Sequence, residues 1–338
     1  MYPELFTIGN LTIHSYGLMI ALGVLISAAA LYREAPREDI NPDHILEAVI
    51  ASVFFGLIGA RLLYVFLNWS YFRANPGEIL FAQFAGLSFF GGLFLGVFIL
   101  YIWSSWRKIG FLKLADLMAP YLLLGYAFAR VGCFLNGCCY GKPADVPWAV
   151  QFPYASLPYY SQIYPDEQRS RHEPRLDLPS AYFGWLDQEG NWIEASPENK
   201  HYAGLKPKAM LTPEQKTAVT EGPYRALPVH PTQIYASLNA FILAGAFYGL
   251  WRIIGLKRPG MVLGLVMIAY GVTRFGLEAM RDDNPFEYAW WMLYQGGTIS
   301  QNLSIYLILT GAILLGVISK MKPCASADPH PGKAAKKR

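Results

Sequence analysis

The sequence predicts an all-α polytopic membrane protein with seven transmembrane helices and an outward-facing (periplasmic) head insertion. Hydrophobic residues make up 54% of the 338 residues and charged residues only 15%, whereas a soluble domain carries about a quarter charged residues. Seven stretches come close to or reach the roughly 20 apolar residues that a spanning helix requires. Because lipid-exposed backbone must satisfy its own hydrogen bonds, each stretch is predicted to be helical.

The predicted spans, in chain order, cover residues 11–31, 45–67, 87–106, 114–135, 234–254, 262–280 and 303–318. Spans one to four fall in residues 1–139, the extracytoplasmic head insertion in 140–229, spans five to seven in 230–320, and a disordered cytoplasmic tail in 321–338. The first 15 residues contain no Lys or Arg. A secretory signal begins with positive charge, so span one is predicted to be an uncleaved membrane helix.

Basic residues are distributed unevenly between the loops. In the short loops they mainly follow spans one, three, five and seven: Arg33, Arg37, Arg107, Lys108, Lys113, Arg252, Lys257, Arg258, Lys320 and Lys322. Cytoplasmic loops are enriched in Lys and Arg, so the N-terminus is predicted outside and the C-terminus in the cytoplasm. The net charge of +4 follows from this bias and does not indicate nucleic-acid binding.

The charged residues inside the predicted spans include Arg61, Arg130, Arg274 and Glu278. Each costs about 2.5–3.5 kcal/mol on insertion scales, so such residues usually face a protein interior or an aqueous cavity. They could form a structural ion pair that locks helices together, or a polar site for a charged substrate. In the predicted orientation all four lie in the outer portions of spans two, four and six, which favours a site near the outer headgroups.

The spacing on span six sharpens this expectation. Arg274 and Glu278 are four residues apart, so their side chains can meet on one helical face. A guanidinium matches phosphate with two parallel hydrogen bonds and stays charged in a poorly solvated site. Together with Arg281 these residues suggest a phospholipid headgroup as the ligand, although Arg281 alone could be snorkelling at the interface.

Glycines form a second pattern, with Gly56 and Gly59 in span two and Gly91 and Gly92 in span three. Small residues let membrane helices approach closely, which is their commonest role. The pair Gly91 and Gly92 could also let the backbone meet a ligand.

Three cysteines, Cys133, Cys138 and Cys139, follow span four on the predicted outer side. A structural or disulfide role is favoured there. A nucleophilic thiol beside Arg130 is a second possibility. Zinc ranks last, because only His14 or His230 could add a fourth ligand to the three thiols.

Five segments in order resemble motifs of one known family, the bacterial prolipoprotein diacylglyceryl transferases. They are residues 13–19 (IHSYGLM), 59–64 (GARLLY), 129–141 (ARVGCFLNGCCYG), 230–235 (HPTQIY) and 270–281 (YGVTRFGLEAMR). The resemblance covers spans one to six and leaves out most of residues 153–227. Three positions depart from the family pattern: Phe90 stands where the family has a histidine, and Cys133 and Cys138 replace its Asn and Glu.

The resemblance implies transfer of the diacylglyceryl group of phosphatidylglycerol to the lipobox cysteine of a prolipoprotein, in the bacterial cytoplasmic (inner) membrane. A thioether forms and glycerol phosphate leaves, without a metal or redox cofactor. The implied catalytic residues are Arg130, Arg274, Glu278, His14 and Tyr16. The implied phosphatidylglycerol-binding residues are Arg130, Gly132, Asn136, Gly141, Arg61, Gly91, Gly92, His230, Gln233, Tyr235 and Arg281.

The sequence leaves the identity of the general base open, because Phe90 stands where the family has a histidine. His14 is the first candidate, and His230, Glu278 or a thiol pKa lowered by the arginines are alternatives. Two other functions compete with the transferase: an inactive phospholipid-binding relative and a transporter. The sequence shows no internal repeat of the kind that many transporters carry.

The head insertion is expected either to receive the preprotein or to form a loop-rich cap. Within it, residues 148–152 alternate like a short strand. Residues 282–294, rich in aromatic side chains, are expected to form a second outer loop at the membrane interface.

Overall fold

The computed structural model describes residues 4–9, 11–81, 86–169, 171–254, 258–283 and 291–320. In this part of the chain, seven helices are long and apolar enough to cross a membrane, which confirms the predicted number. They are α1 (Ser15–Glu34), α2 (Pro42–Leu67), α5 (Phe89–Trp106), α6 (Phe111–Asn136), α9 (Thr232–Ile254), α10 (Met261–Ala279) and α11 (Ile299–Lys320). Short helices are α3 (Trp69–Ala74), α4 (Glu78–Phe81), α7 (Leu157–Ile163) and α8 (Pro213–Thr220).

The start of span one was predicted wrongly. Residues 11–14 are not helical: β2 (Leu11–His14) pairs antiparallel with β1 (Glu4–Ile8), and α1 begins only at Ser15. β-branched residues at positions 12 and 13 favour an extended strand, and Gly9 supplies a positive φ of 60° in the turn. His14 therefore ends a strand, and its side chain is exposed.

The second span begins earlier than predicted. The Asn41 side chain accepts a hydrogen bond from the backbone N–H of Asp43 at 3.0 Å, and Pro42 occupies the first turn of α2. An Asn cap followed by Pro is a strong signal for a helix start. The apolar pattern alone missed it because the first turn of the helix is polar.

The described chain divides into two compact units. The first contains residues 1–23, 125–242 and 267–310, and the second contains residues 24–124, 243–266 and 311–338. In the second unit, α2 and α5 pack on their glycines: a Cβ on Gly59 would lie 2.4 Å from the Gly91 carbonyl oxygen, and one on Gly91 would lie 2.2 Å from the Gly59 oxygen. The close approach predicted from small residues is confirmed.

The second unit also contains the predicted intramembrane Arg61. Its guanidinium donates hydrogen bonds to three backbone carbonyl oxygens, those of Glu78 at 2.6 Å, Ile79 at 3.0 Å and Gly86 at 3.1 Å. The guanidinium carbon lies 5.2 Å from the centre of the Phe72 ring. Arg61 thus ties α2 to α4 and to Gly86, which lies shortly before α5.

In the first unit, the predicted head contains a packed core. A three-stranded antiparallel sheet has the order β4 (Trp192–Glu194), β3 (Phe183–Leu186), β5 (Gly204–Leu205). Thirteen buried residues, among them Tyr159, Ile163 and Phe183, form one hydrophobic cluster. The head is therefore more than a loop-rich cap, and this small sheet lies within a mostly helical fold, as predicted. Its boundaries, 140–229, stay a prediction.

The strand predicted over residues 148–152 is wrong. Only Val150 forms a bridge, antiparallel to Val229. Part of the predicted aromatic loop, residues 284–290, and the whole predicted tail, 321–338, lie outside the described residues.

Candidate functional site

The candidate site forms in the first unit where the chain leaves α6. The helix ends at Asn136, and the Gly137 N–H donates to the Cys133 carbonyl oxygen at 2.9 Å. Gly137 has a φ of 83° and Cys139 a φ of 61°. Two left-handed residues so close together turn the backbone sharply, so that the three cysteines are gathered at the end of the helix.

The residues that start α9 hold this turn from one side. The Gln233 side-chain amide donates to the Cys138 carbonyl oxygen at 2.8 Å, and the Thr232 hydroxyl donates to the Cys139 carbonyl oxygen at 2.7 Å. The Gly141 N–H donates to the His230 carbonyl oxygen at 3.0 Å. The motif of residues 230–235 therefore orients the turn through backbone contacts.

The end of α10 holds the turn from the other side. The Asp283 carboxylate accepts a hydrogen bond from the Cys139 N–H at 2.5 Å and pairs with Arg281 at 2.8 Å. The sequence analysis did not single out Asp283. An acidic residue two positions after an arginine at the end of a span was the available signal. Burial raises the pKa of Asp283, against the lowering effect of Arg281.

Two glycines of the signature are required by close contacts. A Cβ on Gly141 would lie 2.5 Å from the His230 carbonyl oxygen, and one on Gly132 would lie 3.2 Å from a ring carbon of Tyr16 and 3.3 Å from its Cα. Any side chain at Gly141 would push the turn away from α9, since real Cβ atoms do not approach so closely. Gly132 brings α1 against α6 and places Tyr16 beside the turn.

The carboxylate of Glu278 lies between two arginines. It is 2.5 Å from Arg274 and 3.1 Å from Arg281, and the Glu278 side chain is fully buried. The pairing predicted from the four-residue spacing is confirmed. Arg281 exposes only 12% of its side chain, so it is not snorkelling. Arg274 also donates to the Ser300 hydroxyl at 3.1 Å.

Arg130 differs from these two arginines because no carboxylate pairs with it anywhere in the described chain. Its guanidinium carbon lies 4.7 Å from the centre of the Tyr126 ring, and it interacts electrostatically with Cys133 and Cys139. Tyr126 packs edge-on against Tyr270 at 5.4 Å, and its buried hydroxyl has no hydrogen-bond partner among the described residues.

The charges of the site do not cancel. Arg130, Arg274 and Arg281 contribute three positive charges, whereas Glu278 and Asp283 contribute at most two negative ones. With the three thiols neutral, the excess is one positive charge. A half-buried site with excess positive charge and guanidinium donors is suited to bind an anion such as phosphate.

The three cysteines form a compact cluster. Their sulfur atoms all lie within 4.8 Å of one another, and all three thiols are free. Cys133 is buried, and Cys138 and Cys139 are half-buried. The Tyr16 phenol interacts electrostatically with all three thiols and with Arg130. The predicted proximity of the cysteines and Arg130 is therefore observed.

Hydrogen bonding makes the thiols unequal. The pKa of the Cys139 thiol lies below its ordinary value. The main cause is hydrogen bonding from Cys133 and Cys138. The positive charges of Arg281 and Arg130 act in the same direction, and together these effects outweigh burial, which would raise the pKa. For Cys138, the hydrogen bond from Cys133 lowers the pKa of the thiol. The hydrogen bond with Cys139 and burial both raise it, and these two effects are the stronger, so the pKa of Cys138 lies above its ordinary value.

Most of the predicted site residues are gathered in the first unit. These are Tyr16, Arg130, Gly132, Asn136, Gly141, His230, Gln233, Tyr235, Arg274, Glu278 and Arg281. Tyr235 contributes through its hydroxyl, which accepts a hydrogen bond from the Trp148 indole at 2.6 Å and lies 3.3 Å from His230 Nδ1. Whether each of these residues acts on a substrate stays a prediction.

Four predicted residues have different surroundings. Arg61, Gly91 and Gly92 belong to the second unit, where Arg61 bonds backbone carbonyls and both glycines pack against α2. These contacts account for all three residues without a ligand. His14 belongs to the first unit and precedes α1 on an exposed strand end.

Taken together, fold and site define a polytopic membrane protein with an arginine cluster beside free thiols. The chain belongs to the prolipoprotein diacylglyceryl transferase family, because the model of that family (Prolipoprotein diacylglyceryl transferase) matches residues 3–317. The resemblance stated from the motifs is thereby confirmed.

Several relatives carry the name phosphatidylglycerol–prolipoprotein diacylglyceryl transferase. The one from Clostridium tetani is 29% identical over 317 residues, which are 94% of this chain and 98% of the relative. The one from Lactococcus lactis is 27% identical over 315 residues, 93% of each chain. A relative from Dehalococcoides mccartyi is 36% identical over 168 residues, 49% of this chain and 64% of the relative.

Proposed function

We propose that this chain is a phosphatidylglycerol–prolipoprotein diacylglyceryl transferase that alkylates the lipobox cysteine of prolipoproteins. Membership of the family supports the reaction, and the names of the relatives identify both substrates. The structural observation that carries the proposal is the excess positive charge around Arg130, Arg274 and Arg281, beside a cluster of thiols.

The arginines act on the phosphate of the lipid. During the reaction the sulfur of the lipobox cysteine attacks the glyceryl carbon that bears the phosphate ester. The carbon–oxygen bond breaks, its electron pair stays on the phosphate oxygen, and glycerol phosphate leaves. Guanidinium groups already in position stabilise the charge that develops on this oxygen, an effect typically larger than that of a single acid or base.

Glu278 has a positioning role in this scheme. Its carboxylate holds Arg274 on one side and Arg281 on the other, so both guanidiniums keep fixed directions before the lipid arrives. Arg130 has no such partner in the described chain and is the group with the most freedom to bind phosphate. The proton of the attacking thiol requires an acceptor, and His14 stays the first candidate, although its exposed position on β2 lends no further support.

The membrane arrangement follows from the basic loops. We place the N-terminus and the head outside and the C-terminus in the cytoplasm of a bacterial inner membrane, because Lys and Arg are enriched in the loops after the odd-numbered spans. Secreted preproteins reach the outer face, where this arrangement puts the arginine cluster. Impermeant labelling of engineered cysteines in the head and in the loop between α5 and α6 measures the orientation directly.

The reaction is tested with purified full-length protein in phosphatidylglycerol vesicles and a peptide that contains a lipobox cysteine. We expect mass spectrometry to show the gain of one diacylglyceryl group on the peptide thiol, with an equal amount of glycerol phosphate released. A peptide with Ser in place of Cys and vesicles of phosphatidylcholine alone are the controls. Lipid binding without any modified peptide would establish the inactive relative, and vesicle uptake of solute would favour a transporter.

A further inference from the structure

The cluster of Cys133, Cys138 and Cys139 has no task in the reaction described above. The phosphate is bound by arginines, and the attacking sulfur belongs to the peptide. Yet three free thiols lie with their sulfur atoms within 4.8 Å of one another. A tetrahedral zinc ion with zinc–sulfur bonds of about 2.3 Å holds its sulfur ligands about 3.8 Å apart. Small side-chain rotations would therefore close the three thiols around one ion.

The number of ligands indicates what kind of metal site this is. No histidine or carboxylate among the described residues offers a fourth ligand atom within the same distance of the three sulfurs. Structural zinc sites are closed by four protein ligands, whereas catalytic sites have three and keep the fourth position open for water or substrate. The cysteine cluster matches the second arrangement.

The backbone that carries the thiols is held in place before any ion binds. Gln233 and Thr232 bind the carbonyls of Cys138 and Cys139, and Asp283 binds the Cys139 N–H. Outer contacts of this kind orient metal ligands and strengthen metal binding. The same contacts also explain why Cys139, which is not a glycine, keeps a left-handed backbone conformation.

The surrounding charge also suits a thiolate-bound ion. Three thiolates and one Zn²⁺ carry a net charge of −1, and thiolates are the metal-binding form of cysteine. Arg130 and Arg281 both interact electrostatically with Cys139. Two guanidiniums near a singly negative metal cluster stabilise it.

We propose that Cys133, Cys138 and Cys139 bind one Zn²⁺ through their thiolates and that its open position takes the thiol of the substrate cysteine. The inference rests on the proposed transferase function and names the group that activates the nucleophile. A zinc site differs from the prediction made from the sequence, where a structural or disulfide role was favoured for the three cysteines and zinc was ranked last.

The chemistry balances without an additional reactant. On binding zinc the peptide thiol releases its proton to water, because a coordinated thiol is deprotonated. The zinc-held sulfur attacks the glyceryl carbon, a sulfur–carbon bond forms, and the carbon–oxygen bond breaks with its electron pair on glycerol phosphate. The thioether product is a neutral and weaker ligand, so it leaves the ion and the next thiol can bind.

The metal site is tested on the full-length protein in detergent. We expect about one zinc ion per chain by elemental analysis, and at least roughly tenfold weaker zinc binding in Cys138→Ser and Cys139→Ser. The matched control is Cys324→Ser, which removes the fourth cysteine of the chain outside the cluster and should leave zinc content unchanged. Cobalt added to metal-free wild-type protein should give a thiolate-to-cobalt charge-transfer band, a measurement that does not depend on the folding of a variant.

The open position is tested with the cobalt-loaded wild-type protein. A lipobox peptide with Cys should change the visible cobalt spectrum, and the same peptide with Ser should not. Two results would overturn the zinc site and leave the transferase function intact. One is transfer of diacylglyceryl by metal-free wild-type protein. The other is a disulfide within the cluster together with no uptake of cobalt. A protein that binds metal and peptide thiol yet never modifies the peptide overturns the transferase and leaves the metal site standing.

Discussion

Arg61 and Arg130 were both predicted from the same signal, a guanidinium inside an apolar span, yet their surroundings differ. Arg61 donates to three backbone carbonyls, whereas Arg130 lies against an aromatic ring with no carboxylate partner in the described chain. Donors already bonded to backbone carbonyls hold the chain in place, and donors that lack such partners are available for a ligand. An intramembrane charge therefore indicates a function only after its hydrogen bonds have been counted.

The largest effect on stability is expected from Glu278→Gln. This variant tests whether the arginines paired with Glu278 contribute to folding, in contrast to Arg130. Removing one member of a buried charge pair leaves the other uncompensated and costs about 3–5 kcal/mol. Here Arg274 loses its carboxylate partner, while Arg281 keeps Asp283. We therefore expect a lower free energy of unfolding, measured by denaturation in detergent. The matched control is Glu47→Gln at an exposed pair with Arg107, which should cost at most about 1 kcal/mol. Equal losses in the two variants would contradict the structural role of Glu278.

Arg130→Lys tests the other side of the comparison. Lysine keeps the positive charge but loses the paired donors that match phosphate, so kcat/KM should fall roughly 10²–10³-fold, as on removal of a transition-state donor. Stability should change little, because the substitution breaks no ion pair between Arg130 and a carboxylate of the described chain. The assay with vesicles and a lipobox peptide measures the rate, and near wild-type turnover in Arg130→Lys would remove it from the phosphate site.

Arg61→Lys should show the reverse pattern. A lysine cannot bond all three carbonyls, and each buried acceptor left without a donor costs about 1–3 kcal/mol. We expect a lower unfolding midpoint with an unchanged KM for phosphatidylglycerol. A raised KM at unchanged stability would instead restore the substrate-binding role that the family resemblance implies for Arg61.

Gly132→Ala is expected to have the smallest effect. The new Cβ would lie 3.1–3.3 Å from Met19 and Tyr16, so α1 must move by a few tenths of an ångström. Overpacking of this size costs about 1–3 kcal/mol and should lower activity less than Arg130→Lys does. Gly245→Ala, with open space around the new Cβ, is the control, and both variants are compared by unfolding midpoint and initial rate.

The spans, the Arg274–Glu278 pair and the glycine contacts could be predicted because each depends on residues close in sequence or on apolar length. Asp283 could not, since its contact with Cys139 joins positions 144 residues apart. Asp116 was missed for the same reason: its buried carboxylate accepts from the N–H groups of Gly260 and Leu263, both at 2.7 Å, at the start of α10. β2 was hidden because its apolar residues continue directly into those of α1.

The positive charge that Arg130 adds to the site has a consequence for turnover. The guanidiniums that attract the headgroup of the lipid are equally suited to the phosphate of the departing product, so glycerol phosphate should compete with the lipid for the enzyme. Product inhibition is therefore expected to be competitive with phosphatidylglycerol and weaker in Arg130→Lys. Inhibition that persists at saturating lipid would show that the two phosphates occupy different places, and a cell with such an enzyme would depend on rapid removal of its by-product.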